Sequence, residues 1–203
     1  MDTSVTTTKK IKVDELAVSM AATQAEVNAM TSTNTLLTPN INKMVLGTEQ
    51  NATSGTEVDF TGIPAGTRRI TILGSAVSTN GTSPFMVQLG DSGGFENTGY
   101  TGGAMEPSGG TLTANSAGFL LAESAAIIAN NSYVFKVILD LENSAAFRWV
   151  ANSTLIANDG SQSIRFGIGA KALSAELTQV RITTSGGVNT FDGSGVINVI
   201  LER

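Results

Sequence analysis

The 203-residue chain contains no cysteine and no histidine. Without cysteine there is no disulfide framework to staple a small fold. Without histidine the chain lacks the commonest general base, the commonest metal ligand and the side chain that titrates near neutral pH. Charge is scarce as well: Asp, Glu, Lys and Arg make up 14% of residues, against about 25% in ordinary globular chains. Aromatic residues account for only 5%. No apolar run approaches the roughly 18 residues of a membrane span, so no membrane insertion is expected. The opening MDTSVTTTKKIKV has no apolar core of the signal-peptide kind, which predicts synthesis in the cytoplasm without a leader. A net charge of -5 and a pI near 4.7 argue against nucleic acid, which demands a basic surface to displace phosphate counterions. The one basic cluster, Lys9, Lys10 and Lys12, runs directly into Asp14 and Glu15 and reads as a solvated terminal arm.

What the chain has instead is small polar residues. Ser, Thr, Asn and Gly make up about two-fifths of it, well above ordinary usage. Its length supports one domain with a short appendage. Residues 1–46 form that appendage. Val13, Leu16, Met20, Thr23, Val27 and Met30 follow one another at alternating spacings of three and four, an a/d seam about two and a half heptads long. Thr23 and Glu26 have capping-box spacing, which competes with that seam by starting a helix at Gln24. Thr38-Pro39 is a second helix start, ahead of Ile41, Met44 and Val45. So short a stripe is marginal alone in water. It predicts self-association through the N-terminal seam, or packing of the segment on its own body.

Residues 47–203 change period from about three and a half to two. Tyr133, Phe135, Val137, Leu139 and Leu141 alternate with Lys136, Asp140 and Glu142, as a half-buried strand requires. Ile164, Phe166 and Ile168 alternate with Arg165 and Gly167, and Val180 and Ile182 flank Arg181. Further strands are predicted at 57–60, 69–77, 85–89, 119–122, 146–151 and 195–202, the last apolar on both faces and expected to be buried on both. Asn80-Gly81, Ser108-Gly109-Gly110, Asn158-Asp159-Gly160 and Ser185-Gly186-Gly187 supply turns. The fold class expected is all-β, an antiparallel β-sandwich of jelly-roll type.

Few motifs point to chemistry. Gly90-Asp91-Ser92-Gly93-Gly94 matches the string around a serine-protease nucleophile, but that serine needs a histidine base and none exists. The string reads as a Gly-rich loop. Asp59, Asp91, Glu96, Glu106, Asp140 and Glu142 could supply the facing carboxyl pair of a glycosidase, with a solvated surface as the simpler reading. Asp91, Ser92 and Glu96 lie close together without calcium-loop spacing. No catalytic residue, metal or cofactor is expected, and the chain is not read as an enzyme. Tyr133, Phe135, Phe147 and Phe166 are expected in the core, and so is Trp149, which shares a face with Phe147. Phe95 and Tyr100, in the Gly-rich stretch 90–103, are candidates for stacking on a sugar face. Sequons at Asn51, Asn130 and Asn152 carry little weight without a leader.

Two stretches carry a resemblance. Ala22-Thr23-Gln24-Ala25-Glu26-Val27-Asn28-Ala29, followed by Leu37-Thr38-Pro39, resembles a short element found in tail-fibre proteins of tailed phages just before the tip. Met30 here replaces the glycine common in that element. SGTEVDFTGIPAG (54–66), Arg69-Ile70-Thr71, VSTNGTSP (77–84), QLGDSGG (88–94), Thr98-Gly99-Tyr100, Phe191-Asp192-Gly193 and Ile197-Asn198 are together similar to a β-sandwich module that ends many phage fibres. The resemblance implies a homotrimeric virion protein with two contacts. Its N-terminus would dock on a tail or baseplate protein, and its head would touch a host surface glycan or outer-membrane component. The docking element runs almost straight into the head, which implies a short fibre or a baseplate-proximal appendage. A baseplate or capsid decoration protein without a host ligand is the alternative, and a polysaccharide-degrading spike a third class.

Overall fold

The computed structural model describes residues 43–107, 111–124, 126–158 and 163–203. The chain divides into Met1–Lys43 and Met44–Arg203. The predicted seam of Val13, Leu16, Met20, Thr23, Val27 and Met30 lies outside the described residues. Among the described residues the body is built of strands and turns. In chain order they are β1 (Met44–Leu46), β2 (Gln50–Ala52), β3 (Glu57–Thr61), β4 (Arg69–Val77), β5 (Phe85–Asp91), β6 (Gly94–Phe95) and β7 (Thr101–Met105). There follow β8 (Thr113–Ala114), β9 (Phe119–Leu120), β10 (Tyr133–Asn143), β11 (Arg148–Ala157), β12 (Ile164–Ala172), β13 (Gln179–Thr184) and β14 (Gly195–Glu202).

Two antiparallel sheets make the sandwich. The larger runs β1-β14-β4-β10-β11-β12-β7-β8, with β2 continuing the β1 edge along β14. The smaller runs β3-β13-β5-β6, with β9 also on β5. Alternation sends Ile70 and Ile72 of β4, Tyr133, Phe135, Val137 and Leu139 of β10, and Ile197 and Val199 of β14 into the core from one side. Val58, Phe60, Phe85, Val87, Leu89, Val180 and Ile182 enter it from the other. Phe85 anchors the middle, edge-on to Tyr133 at 5.5 Å and stacked with Phe191 at 6.4 Å between ring centroids. The Phe135 ring lies where Gly74 of the neighbouring strand has no side chain, and a Cβ there would collide with it.

The sandwich is as expected, but four local readings are corrected. Met44–Leu46 is an edge strand on β14 rather than part of a helix, because its amides and carbonyls find partners on Ile200–Glu202. β14 buries one face only: Gly195, Ile197 and Val199 are buried while Val196, Asn198 and Ile200 are partly exposed. β7, within and just beyond the Gly-rich stretch 90–103, is not among the strands expected from the sequence. Its glycines are required by close approach, since a Cβ on Gly102 would meet the backbone of Ile168 and Gly169, and one on Gly103 that of Thr113.

The fourth correction is β12, whose period is as predicted and whose faces are reversed. Arg165, Gly167, Gly169 and Lys171 point inward and are buried, while Ile164, Phe166 and Ile168 are exposed. The reason is steric. β9 passes directly beneath β12, so that a Cβ on Gly167 would strike the Leu120 carbonyl and one on Gly169 the Phe119 ring. Only glycine fits under that crossing. The two inward cations flank it, Arg165 beside Glu123 at 3.5 Å and Lys171 in an ion pair with Glu96.

Candidate functional site

The strand registers give the sandwich two unlike ends. Met44, Glu202, Arg69 and Asp140 line up across the larger sheet, so the chain enters the body at that end. It also turns there at 62–68, 144–147 and 173–178. At the opposite end lie the connections 53–56, 78–84, 128–131 and 185–194, because β2 and β4 finish there and β5, β10 and β14 begin there.

These far-end loops are tied to one another rather than hanging free. Asn80 N–H donates to the Thr190 carbonyl at 3.0 Å, and Thr190 N–H returns a bond to Asn80 Oδ1 at 3.0 Å. Asn189 Oδ1 accepts from Ser83 N–H at 3.0 Å. Phe191 N–H donates to the Gly55 carbonyl at 2.8 Å, and Asn130 N–H to that of Thr79 at 2.9 Å. Gly81 leaves room for the Asn189 amide, which a Cβ would displace. Asn130 holds a positive φ of 60°, a conformation asparagine tolerates better than most residues. Beneath the loops lie the buried rings of Phe85, Tyr133 and Phe191, with Tyr133 Oη accepting from Ile128 N–H at 2.7 Å. Outward point Thr53, Ser54, Asn80, Thr82, Asn130, Asp192 and Ser194, with Ile128 and Val188 exposed among them. Within these four loops Asp192 is the single charged residue. Preset hydroxyls and amides beside isolated apolar side chains can hydrogen-bond a polyhydroxylated ligand without first ordering a loop. The turn signals at Asn80-Gly81 and Ser185-Gly186-Gly187 marked two of the loops. Their convergence follows from sheet registers that no local signal carries.

The two aromatic candidates from the sequence sit elsewhere. Phe95 and Tyr100 are at the chain-entry end, and Tyr100 is a core residue only 3% exposed. Its ring meets Phe119 edge-on at 4.9 Å, and its hydroxyl accepts from Leu89 N–H at 2.7 Å and donates to the Glu96 carbonyl at 2.9 Å. Burial pushes that phenol well above its ordinary range. Sugar stacking by Tyr100 is therefore corrected, the Gly-rich stretch having folded its ring inward. Phe95 is half-buried in β6, with one face taken by the Arg181 guanidinium 4.1 Å from the ring centroid.

The GDSGG string forms the β5–β6 turn. Asp91 Oδ1 accepts from Gly93 N–H at 2.7 Å and Oδ2 from Ser174 Oγ at 2.6 Å. Those bonds, that from Ser174 first, hold its carboxyl below the usual range. Ser92 is exposed. Glu96 accepts from Ser174 N–H at 2.9 Å and pairs with Lys171. Most other candidate carboxylates are equally engaged: Asp59 with Arg181, Asp140 with Arg69, and Glu142 with Arg148. For Glu142 the bond from Arg148 holds the carboxyl below its usual range. Among the described residues no three carboxylates gather as metal ligands. Trp149 is buried, as expected, with Phe147 turning the corner before it at a φ of 47°.

One further feature is a shallow groove of about 440 Å³ on the outer face of the larger sheet. Leu73, Val134, Ile156 and Val196 give it an apolar floor, with Lys136, Asn198 and Glu49 among the polar groups lining it.

No family model and no curated protein matches the chain. Among solved structures, a protein of unknown function from Shewanella oneidensis MR-1 aligns over 97% of both chains at 14% identity, with a TM-score of 0.27. An alginate lyase, Aly36B, aligns over 80% of both at 11% identity and a TM-score of 0.22. Likenesses this distant carry no argument about what the protein does.

Proposed function

We propose that the chain is a host-contacting fibre protein of a phage tail. It docks on a tail or baseplate protein through residues 1–46, assembles as a homotrimer and presents the far-end loops to a host surface glycan. The observation that carries this reading is the separation of ends. The chain enters the sandwich at Met44 beside Glu202, and the braced, almost uncharged loops 53–56, 78–84, 128–131 and 185–194 lie at the other end. The order of the fibre-like motifs supports it too, since VSTNGTSP and Phe191-Asp192-Gly193 fall in those loops. Binding would work by avidity, with several weak loop–glycan contacts on one rigid assembly.

The test is adsorption of the purified full chain to cells of the bacterium on which the parent phage grows, and to their lipopolysaccharide. Thr82→Arg and Val188→Glu place bulk and charge on exposed loop positions. Each should lower binding about tenfold or more with an unchanged unfolding midpoint, while Thr61→Arg at the entry end should not. An unmodified chain that binds neither cells nor lipopolysaccharide would favour the decoration-protein alternative.

A further inference from the structure

The larger sheet carries an apolar field on the face turned away from the core. The registers align its outward residues in cross-strand rows. One runs Leu46, Ile200, Thr71, Ile138, Asn152 and Ile168, and the next includes Leu73, Lys136, Thr154 and Phe166. Leu46 and Ile168 are each 65% exposed, at opposite sides of the sheet. The field spans seven strands, from β1 to β7. At about 4.8 Å per strand, and about 15–20 Å along the strands, it covers roughly 500–700 Å². Thr71, Lys136, Asn152 and Thr154 take up part of that area, so its apolar part is of the order of the largest apolar patch a monomer ordinarily exposes, about 300–600 Å². Antiparallel sheets turn a polar face to water when nothing covers them. Here β12 does the reverse, burying Arg165 and Lys171 and showing Ile164, Phe166 and Ile168.

We propose that this face is covered by the same face of a neighbouring copy of the chain. Two arguments select that occupant. Two such faces together would remove about 1,000–1,400 Å² from water, which reaches the range of stable specific interfaces, about 1,200–2,000 Å². The face is also self-complementary in charge. Lys136 stands in the field and Glu49 at its β1–β2 border, and neither has an ion-pair partner among the described residues. Both line the same groove, so a two-fold contact centred on that groove would bring the Lys136 of one copy to the Glu49 of the other and answer each charge by symmetry. A contact between identical faces is two-fold and pairs two copies, so it is distinct from the three-fold association of the fibre reading and does not rest on it; it concerns the sheet face and not the loops.

The absence of cysteine makes the test clean. Full-length Phe166→Cys and Ile168→Cys, treated with a short bis-maleimide, should cross-link between copies, whereas Ser194→Cys in the far-end loops should not. Phe166→Lys with Ile168→Lys should weaken association about 100-fold by light scattering, with the unfolding midpoint of the dilute protein kept. A full chain of single-copy mass at micromolar concentration overturns the proposal. A cysteine at 166 protected from maleimide in that monomer would then assign the cover to residues 1–42 of the same chain, and a reactive one would assign it to another partner. A multimer indifferent to both lysines, with no cross-link, also overturns it by placing assembly elsewhere. Failure to bind host cells with cross-linking intact would sink the adhesion reading and leave this one standing.

Discussion

The sandwich has two outer faces, and they follow opposite rules. On the smaller sheet, Arg181 of β13 donates to both Asp59 oxygens at 2.7 and 2.8 Å, reaches Glu57 at 2.8 Å and stacks on Phe95. Gln88 beside it is covered by the 115–118 turn, bonding the Ala117 carbonyl at 3.0 Å. That face is finished: its polar groups have partners within the chain. On the larger sheet, Leu46, Leu73, Val134, Phe166 and Ile168 stand exposed, and Lys136 has no counter-charge among the described residues. Two strands of the same sheet show that the difference is not a matter of composition. β10 and β12 both alternate apolar with polar, yet β10 hides its apolar set and β12 shows it. A sheet face in water gains nothing from exposed isoleucine and phenylalanine, so the contrast assigns the smaller sheet to solvent and the larger one to a contact.

The sharpest way to break this comparison is to remove the same ring from each side of the larger sheet. Phe135→Ala empties a core position over Gly74 and should cost about 3–5 kcal/mol in denaturant unfolding. Phe166→Ala should move the midpoint of the dilute protein by less than about 0.5 kcal/mol and show its cost only as the protein is concentrated. Equal, concentration-independent losses would mean that the outward face is already packed within one chain.

The inverted strand offers the next largest effect. Arg165 and Glu123 are 10% and 9% exposed in their side chains, and Glu123 Oε2 and Arg165 Nε make no hydrogen bond. Arg165→Met would strand a buried carboxylate and should destabilise by about 3 kcal/mol. Adding Glu123→Leu should recover most of that loss, since an imperfect buried pair gains little over apolar packing. A double variant no better than the single one would show that the pair itself holds β12 in its reversed orientation.

These strands also mark how far the sequence could be read. The strands expected at 69–77 and 195–202 have the observed bounds of β4 and β14, and alternation located β10 nearly to the residue, because period two is local information. It could not say which side of β12 faces in. That depends on β9 crossing beneath Gly167 and Gly169, and on Glu123 and Glu96 waiting there, all distant in sequence. β7 escaped notice because its glycines answer to backbone contacts and not to strand propensity. At the candidate site, turn chemistry flagged the loops at Asn80-Gly81 and Ser185-Gly186-Gly187, but their meeting is a product of register. Tyr100 misled because a ring in a Gly-rich stretch looks unburied until Leu89 and Phe119 close around it.

A smaller effect separates the entry end from the far end by pH. Asp91 is held below its ordinary pKa, first by Ser174 and then by Gly93. A carboxylate with a depressed folded pKa stabilises fully above its unfolded pKa, and this contribution is lost as pH falls through the folded value. Ser174→Ala should cost about 1 kcal/mol at neutral pH, and the gap to the unmodified protein should narrow as acid protonates Asp91. A gap constant down to the acid transition would assign the loss to packing alone.

The smallest effect compares two arginines, one on each outer face. Arg181 is partly buried, holds Asp59 through two bonds and covers Phe95. Arg181→Met should cost about 0.5–1 kcal/mol, and that cost should persist in high salt because the stacked, half-covered guanidinium is poorly screened. Arg69 meets Asp140 at 2.6 Å, but both side chains are about half exposed. Burial contributes little there, and removing Arg69 should leave the unfolding midpoint unchanged at physiological salt. Should Arg69→Ala instead lower stability only when the protein is concentrated, the Glu202–Arg69–Asp140 row would be the polar border of the copy–copy contact. The rule separating the two faces would then extend to their rims, with ion pairs that complete a surface on the smaller sheet and ion pairs that frame an interface on the larger.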